Sequence, residues 1–375
     1  MTSVGIAGAS QNAGVLQGAP RAILDQAIAR HAFPGAAWGV LHNGAVVAVN
    51  AAGRFTYEPG APTVSLSTVF DLASVTKVVA TTAAAMLLVD RGQLDLDARL
   101  GDILPGFVIG MAPGSGKERV TLRMLLAHSS GMVGWAPLFR NSGTPDALLR
   151  DILHLPLEAK PGTRTEYSDF GFILLGKVIE LVTRTPLDVF CAREIFTPLG
   201  LAHTRFSPSP ADRSLIPPSE DDRIFRGRVI QGEVQDEHAF LLGGVAGHAG
   251  VFSNVEDLLR FAQCMMERGR TASGSQLFRP ETIDLFTARQ TTSDGKSRAL
   301  GWDVPTEPSS SGRFFGPRSF GHLGYAGTSL WIDPDQNLAV VLLTNRTWPD
   351  RSNEAIREVR PAFHDAVVES LRASG

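Results

Sequence analysis

Only two cysteines occur in the 375 residues, Cys191 and Cys264, with no C-x-x-C spacing. That count excludes a disulfide scaffold, and two buried thiols are expected. Charge is sparse at 19% and nearly balanced, 35 Lys and Arg against 38 Asp and Glu, for a formal net of −3. Such a balance gives no electrostatic reason to expect a nucleic-acid partner. No apolar run approaches the ~20 residues a membrane span needs; the longest, Val78–Val89, falls short. Met1 to Pro20 lacks a basic segment followed by a continuous apolar one, so it does not read as a signal peptide. The expectation is a soluble, cytoplasmic chain, or a periplasmic one if a leader has been removed. Also missing are a G-x-S-x-G elbow, an H-E-x-x-H pair and a Gly-Lys-Ser/Thr phosphate loop. These gaps disfavour an α/β-hydrolase triad, and they leave Gly243–Gly250 reading as a flexible wall of a cleft. No period of 20–50 residues marks a repeat protein.

What is present begins with Ser74-Val75-Thr76-Lys77. At helical pitch, positions i and i+3 share a face, so hydroxyl and amine come within hydrogen-bond reach. A serine hydroxyl needs a base to become a good nucleophile. A lysine can serve if desolvation or a nearby cation lowers its pKa, and a helix's first turn favours developing negative charge. Ser293-Asp294-Gly295-Lys296 repeats the spacing, but in a polar, Gly-containing run that reads as a surface loop. Ser74 instead follows Val69–Ala73 and leads into Val78–Val89, apolar on nearly every face, as a buried helix is. A lysine inside such a helix needs a reason to be there. Context selects Ser74.

Hydrophobic content of 43% supports a full core in one large or two interlocked domains. Pro20–Arg30 has helical spacing, and Ala36–Val49 reads as a hairpin around Asn43-Gly44. The Ser74 helix ends near Gly92. Leu122–Ala127, Asp169–Arg184 and Pro186–Phe196 are helical, the last with proline at its first position. Pro208–Gln235 is polar and Pro-rich, an irregular surface excursion. Strands return at Gly321–Ala326, Ser329–Asp333 and Leu338–Asn345, and a helix over Asn353–Leu371 closes the chain. The predicted fold class is α/β plus an all-helical region. Residues 1–95 and 245–375 build an antiparallel sheet flanked by helices, residues 96–244 form a mostly helical insertion, and the active site lies between them.

Tyr167, one of three tyrosines, sits in the turn-rich run Pro161–Asp169 ahead of a strong helix. There a phenol can point into a cleft and, as phenolate, relay a proton if cations stabilise it. Taken alone it reads more readily as a half-buried structural residue. Gly321-His322-Leu323-Gly324 precedes the final hairpin. Glycine in a strand marks close approach of a backbone or ligand, and an edge strand there can offer a main-chain N–H to an oxyanion. Asp236, Glu237, His238 and His248 lack metal-ligand spacing, with a Gly-rich loop between the histidines, so no metal site is expected.

In combination these segments resemble the serine β-lactamase and penicillin-binding-protein superfamily, in its branch of class C β-lactamases, D,D-peptidases, D-aminopeptidases and family VIII esterases. The three motifs of that branch, S-x-x-K, Y-x-N and K-T-G or H-x-G, would be Ser74–Lys77, Tyr167–Asp169 and His322–Gly324. Leu125–Gly131, Pro198–Leu201, Leu300–Trp302 and Leu342–Asn345 support the match. Asp236–Ala239 with Gly243–Gly250 looks most like the penicillin-binding-protein 4B type, and the resemblance runs from about Ala19 to the C-terminus. It implies acylation of Ser74, acid–base work shared by Lys77 and Tyr167, an oxyanion hole of the Ser74 and Tyr325 amides, and no cofactor. Asp169, His322 and Gly324 would contact substrate.

Two departures stand out. Asp169 replaces the commoner asparagine and could hold Lys77 protonated or bind a substrate amine. His322 replaces lysine, which removes a permanent cation and leaves a mostly neutral side chain able to donate one hydrogen bond. The implied function is a serine hydrolase of small esters or amides. Carboxylesterase-like activity ranks narrowly ahead of D-alanyl-D-alanine carboxypeptidase or β-lactamase activity. A penicillin-binding module without turnover is the alternative of another class. The expected partner is a small ester, amide or β-lactam, with the oligomeric state open.

Overall fold

In the computed structural model, the described residues are Leu16 and Gly18–Ala373 apart from Met111 and Pro113. Most of the segment read against a signal peptide, Met1–Val15, therefore lies outside them. Four helices matter below: α1 (Ala19–Ala29), α2 (Asp169–Thr183), α3 (Val255–Met266) and α4 (Ile356–Ala373). Strands β1 (Gly35–His42) and β2 (Ala45–Gly53) form the expected hairpin. Asn43 and Gly44 take φ of +51° and +76°, the left-handed pair that a two-residue type I′ turn requires. From the other end of the chain come β3 (Phe320–Leu323), β4 (Ser329–Asp333) and β5 (Leu338–Thr344). The order is β3-β4-β5-β1-β2, antiparallel throughout. The two chain ends meet where β1 pairs with β5, Trp38 opposite Leu342 and Val40 opposite Val340.

Strand alternation sends successive side chains to opposite faces. Trp38, Val40, Trp331, Val340 and Leu342 pack against Leu24 of α1 and Val359, Phe363 and Val367 of α4. Ala37, Leu41, Leu330, Val341 and Leu343 belong to a second cluster with Val255, Leu258 and Leu259 of α3 and with Val75, Val78 and Val79. A Cβ on Gly39 would lie 2.7 Å from both Val255 and Leu259, so glycine lets α3 seat directly on the sheet. This second cluster continues through Leu125, Leu126, Phe170 and Phe172. The division expected at residues 96 and 244 is thus not marked by a break in the apolar core.

Several expectations need correction. The Ser74 segment is not one α-helix: Ala73–Val75 is a 3₁₀ turn, Lys77–Thr82 a π-helix and Ala83–Asp90 an α-helix. Wide turns of this kind recur at functional sites. The full run, Ala73–Asp90, spans 18 residues and is apolar enough to cross a membrane by length and composition, unlike the shorter stretch read from the sequence. It is nevertheless 83% buried inside the protein, as a core helix. Pro186 is the N-cap of Leu187–Cys191, not its first residue. Pro208–Gln235 is more than a surface excursion. It carries a hairpin, Glu220–Asp222 with Arg228–Ile230, and buries Glu220, Asp222 and Gln235. Those polar groups go inside because they are paired: Arg351 donates to both Glu220 oxygens at 2.5 Å, and Asp222 accepts three backbone N–H bonds. Cys191 and Cys264 are buried free thiols.

Candidate active site

The entry to the Ser74 segment is held by a buried carboxylate. Asp71 accepts the Ala73 and Gln235 N–H groups, one on each oxygen, both at 2.8 Å, and burial pushes its pKa up to about 6. Ala73 takes φ +47°, a left-handed conformation that costs an alanine about 1 kcal/mol or more. Those bonds hold it there, and Ser74 follows half-buried.

Lys77 is fully buried, and its Nζ donates to Ser74 Oγ at 2.9 Å, Asp169 Oδ1 at 2.7 Å and the His248 carbonyl at 3.1 Å. An ammonium has three hydrogens, and here are three acceptors for them. Burial alone would lower the lysine pKa, but Asp169 and Tyr167 outweigh it and the net direction is upward. Burial therefore does not push this lysine toward neutrality, because its partner is a carboxylate. The Gly-rich wall is not loose either. Thr81 Oγ1 donates to Gly247 O at 2.7 Å, Val251 N–H donates to Thr76 Oγ1 at 3.1 Å, and a Cβ on Gly247 would meet Phe172 O at 2.0 Å. The loop is pinned between the Ser74 segment and α2.

Asp169 opens α2, where Ser168 Oγ caps the helix by accepting the Gly171 N–H. Just before it, the Tyr167 hydroxyl interacts with both Ser74 and Lys77. Burial raises its pKa against the opposing pull of Lys77, so it rests as a phenol. Behind Tyr167 stands His128, its ring 4.6 Å from the tyrosine ring and 5.1 Å from Phe172. Its Nδ1 accepts the Ser168 N–H at 2.9 Å, and burial with Arg298 and Lys77 holds its pKa well below the usual range. A neutral imidazole thus wedges the tyrosine in place. The sequence marked His128 only as part of a supporting segment.

At the third motif a Cβ on Gly324 would lie 2.0 Å from Thr328 Oγ1 and 2.4 Å from Leu72 O. Glycine therefore lets this edge close onto the residues leading to Ser74, where Thr328 Oγ1 donates to Leu72 O at 2.9 Å. Among the described residues, the Tyr325 amide donates to no other group. Two arginines that no motif flagged hold the loop: Arg346 donates to Tyr325 O at 2.6 Å and lies 4.2 Å over its ring, and Arg360 donates to Gly324 O and Thr328 O. His322 Nδ1 bonds the Leu323 carbonyl at 2.8 Å. A carbonyl only accepts, so Nδ1 carries the proton and the unpartnered Nε2 is an acceptor. That corrects the expected donor. Burial, Arg298 and Lys77 keep the ring neutral, its pKa well below 6.5.

A cavity of about 330 Å³ is lined by Ser74, Tyr167, His322, Tyr325, Arg298 and Arg357, among others. Arg298 ends the hairpin Gln290–Thr291 with Ser297–Arg298, whose exposed loop holds the second S-x-x-K. Its guanidinium lies 5.2 Å from the Tyr167 ring and 3.5 Å from Asp303. A permanent cation does stand beside His322, supplied by an element with no motif.

The family model described as Beta-lactamase matches residues 20–362. The N-acetylmuramyl-L-alanine amidase of Bacillus subtilis (strain 168) is 34% identical over 359 residues, covering 86% of this chain and 80% of the relative. A protein of Escherichia coli (strain K12), provisionally named D-alanyl-D-alanine carboxypeptidase, is 35% identical over 306 residues, covering 74% and 69%. Among solved structures, EstCE1, a hydrolase with promiscuous acyltransferase activity, superposes with a TM-score of 0.77 at 24% identity over 94% of this chain and 98% of its own. That likeness speaks for the β-lactamase/transpeptidase-like fold. The family match, the two relatives and the shared architecture agree: this chain is a serine hydrolase belonging to the β-lactamase family.

Proposed function

We propose that the protein cleaves amides and esters through an acyl-enzyme on Ser74, with amides of small peptidoglycan fragments as its first substrate class. The observation that carries the reading is the Ser74–Lys77–Asp169 chain of hydrogen bonds at 2.9 and 2.7 Å. Ser74 Oγ attacks the carbonyl carbon as its proton passes to Lys77 and Lys77 yields one to Asp169. The Ser74 and Tyr325 amides hold the oxyanion. Collapse breaks the C–N or C–O bond, and Lys77 and Tyr167 return the proton to the leaving group. Water then attacks the acyl-enzyme under the same groups, releasing the acid and restoring Ser74.

Support for the substrate class comes from three sides. The Bacillus subtilis relative is named for an amide between an N-acetylmuramyl group and L-alanine. The cavity falls within the size range of small-molecule sites, roughly 300–1,000 Å³. Arg298 and Arg357 line it and offer cations to the carboxylates such fragments carry. Ester cleavage is the second reading, favoured by the neutral His322. Four substrates decide the order: N-acetylmuramyl-L-alanine, a D-alanyl-D-alanine peptide, a short p-nitrophenyl ester and a cephalosporin. The muramyl amide should show the highest kcat/KM. An ester faster than every amide would make the protein a carboxylesterase, and stable acylation without turnover a penicillin-binding module. A serine-directed fluorophosphonate should label the Ser74 peptide, lose it in Ser74→Ala and keep it in Ser293→Ala.

A further inference from the structure

The carbonyl of His248 holds Lys77, and the ring of the same residue takes part in a second polar cluster. Asp236, His238 and His248 each present one ligand atom, and these lie within 4.8 Å of one another. His238 is fully buried, and neither of its ring nitrogens has a hydrogen-bond partner of good geometry, although the Ala136 main chain approaches it. His248 is 1% exposed, with Nδ1 unpartnered and Nε2 at 2.7 Å from Asp236 Oδ1. Asp236, 22% exposed at its side chain, gives the cluster its opening. Trp135, Phe139 and Phe170 stand edge-on around His238 at 6.1, 5.4 and 5.4 Å.

A buried imidazole nitrogen without a partner costs about 1–3 kcal/mol, and buried polar atoms are rarely left so. The Asp236–His248 bond satisfies one of four ring nitrogens and does nothing for His238. Two imidazoles and a carboxylate are, however, the donor set of open zinc-type sites, with a fourth position left for water. Oxygen-seeking calcium or magnesium would not choose it. Zinc bond lengths set tetrahedral ligand atoms about 3.4 Å apart, so side-chain rotations of roughly an ångström would open the 2.7 Å Asp236–His248 pair and draw in the wider separations. The Ala239 N–H, at 2.8 Å from Asp236 Oδ1, fixes the carboxylate as ligand-supporting groups do. We propose that Asp236, His238 and His248 form a binding site for one divalent transition cation of the zinc class, beside the serine–lysine centre. Spacing rules hid it, because the loop over Gly243–Gly247 and not a shared helix brings residues 236 and 248 together.

The test titrates metal-stripped full-length protein with Co²⁺. One equivalent per chain should give the visible ligand-field absorption of a tetrahedral site, and Zn²⁺ should abolish it. His238→Gln, His248→Gln and Asp236→Asn should each weaken binding at least about tenfold. Absence of that absorption in the wild type, or unchanged affinity in folded His238→Gln, would overturn the proposal. If the variants do not fold, X-ray absorption on zinc-loaded wild type counts the imidazoles: two support the site and fewer overturn it. None of these readouts involves turnover, so they stand apart from the substrate assignment.

Discussion

Asp169 decides the resting state of Lys77, the proposed proton carrier. In Asp169→Asn, the burial that presses Lys77 toward neutrality loses its main opponent, so the lysine pKa falls. The wild type has a carboxylate ready to take the lysine proton, whereas the variant must wait for a neutral amine. Its kcat/KM should fall at least about tenfold on the acid side of neutrality and recover as rising pH frees the amine of its proton. The wild type should lack that acid limb. Matching pH profiles for the two proteins would remove Asp169 from the relay. Arg298 carries a second prediction. With His322 neutral and accepting, Arg298 is a permanent cation beside it, so Arg298→Gln should lower kcat/KM about tenfold or more for carboxylate-bearing substrates. A neutral p-nitrophenyl ester should be affected much less. Equal losses on both would mean that the arginine only props the Tyr167 ring.

Elements explain which parts of the site a sequence can disclose. Ser74 and Lys77 lie three residues apart on one turn, so their contact is local and readable. Asn43-Gly44 and the alternating runs of β4 and β5 are local too, and the sheet followed from them. Arg298, Arg346, Arg360 and His128 reach the centre from a hairpin, a strand end, α4 and a helix–loop junction, contacts that only tertiary packing creates. Nor does composition distinguish buried, paired acids from solvated ones, which is why the Glu220 hairpin reads as a surface excursion. The loop over Gly243–Gly250 shows the same limit, reading as flexible yet serving as a fixed acceptor for Lys77. Gly247→Ala tests that role. Its methyl would press on Phe172 O and Gly176 N, shifting the His248 carbonyl off Lys77. A displacement of that order can cost about 10²-fold in kcat, with KM little changed and a lowered melting temperature. A folded variant with wild-type kcat would show the carbonyl to be dispensable.

The molecule as a whole is set against acid by its buried histidines. His364, on α4, joins that helix to β4: Nδ1 donates to Ser310 O at 3.1 Å, and Nε2 accepts from the Ser329 hydroxyl at 3.4 Å. Burial, with Arg360 adding to it and Asp365 opposing, lowers its pKa to about 4. The unfolded chain binds this proton from about pH 6.5 downward, while the folded chain refuses it until about 4. Between those values the unfolded state holds more protons, so the contribution is complete above 6.5 and is lost as pH falls toward 4. His128 and His322, also held well below 6.5, act in the same direction. Asp71 works oppositely, since its carboxyl is raised to about 6 and the folded state binds the extra proton between about 4 and 6. From pH 7 to 5, His364 alone loses about 2 kcal/mol and Asp71 regains about 1 kcal/mol, so the histidines prevail. Urea unfolding should therefore show lower stability at pH 5 than at pH 7. His364→Gln, which cannot titrate, should reduce that difference by about 2 kcal/mol. If the variant loses as much stability as the wild type over this range, the seam between α4 and the sheet is not where acid acts.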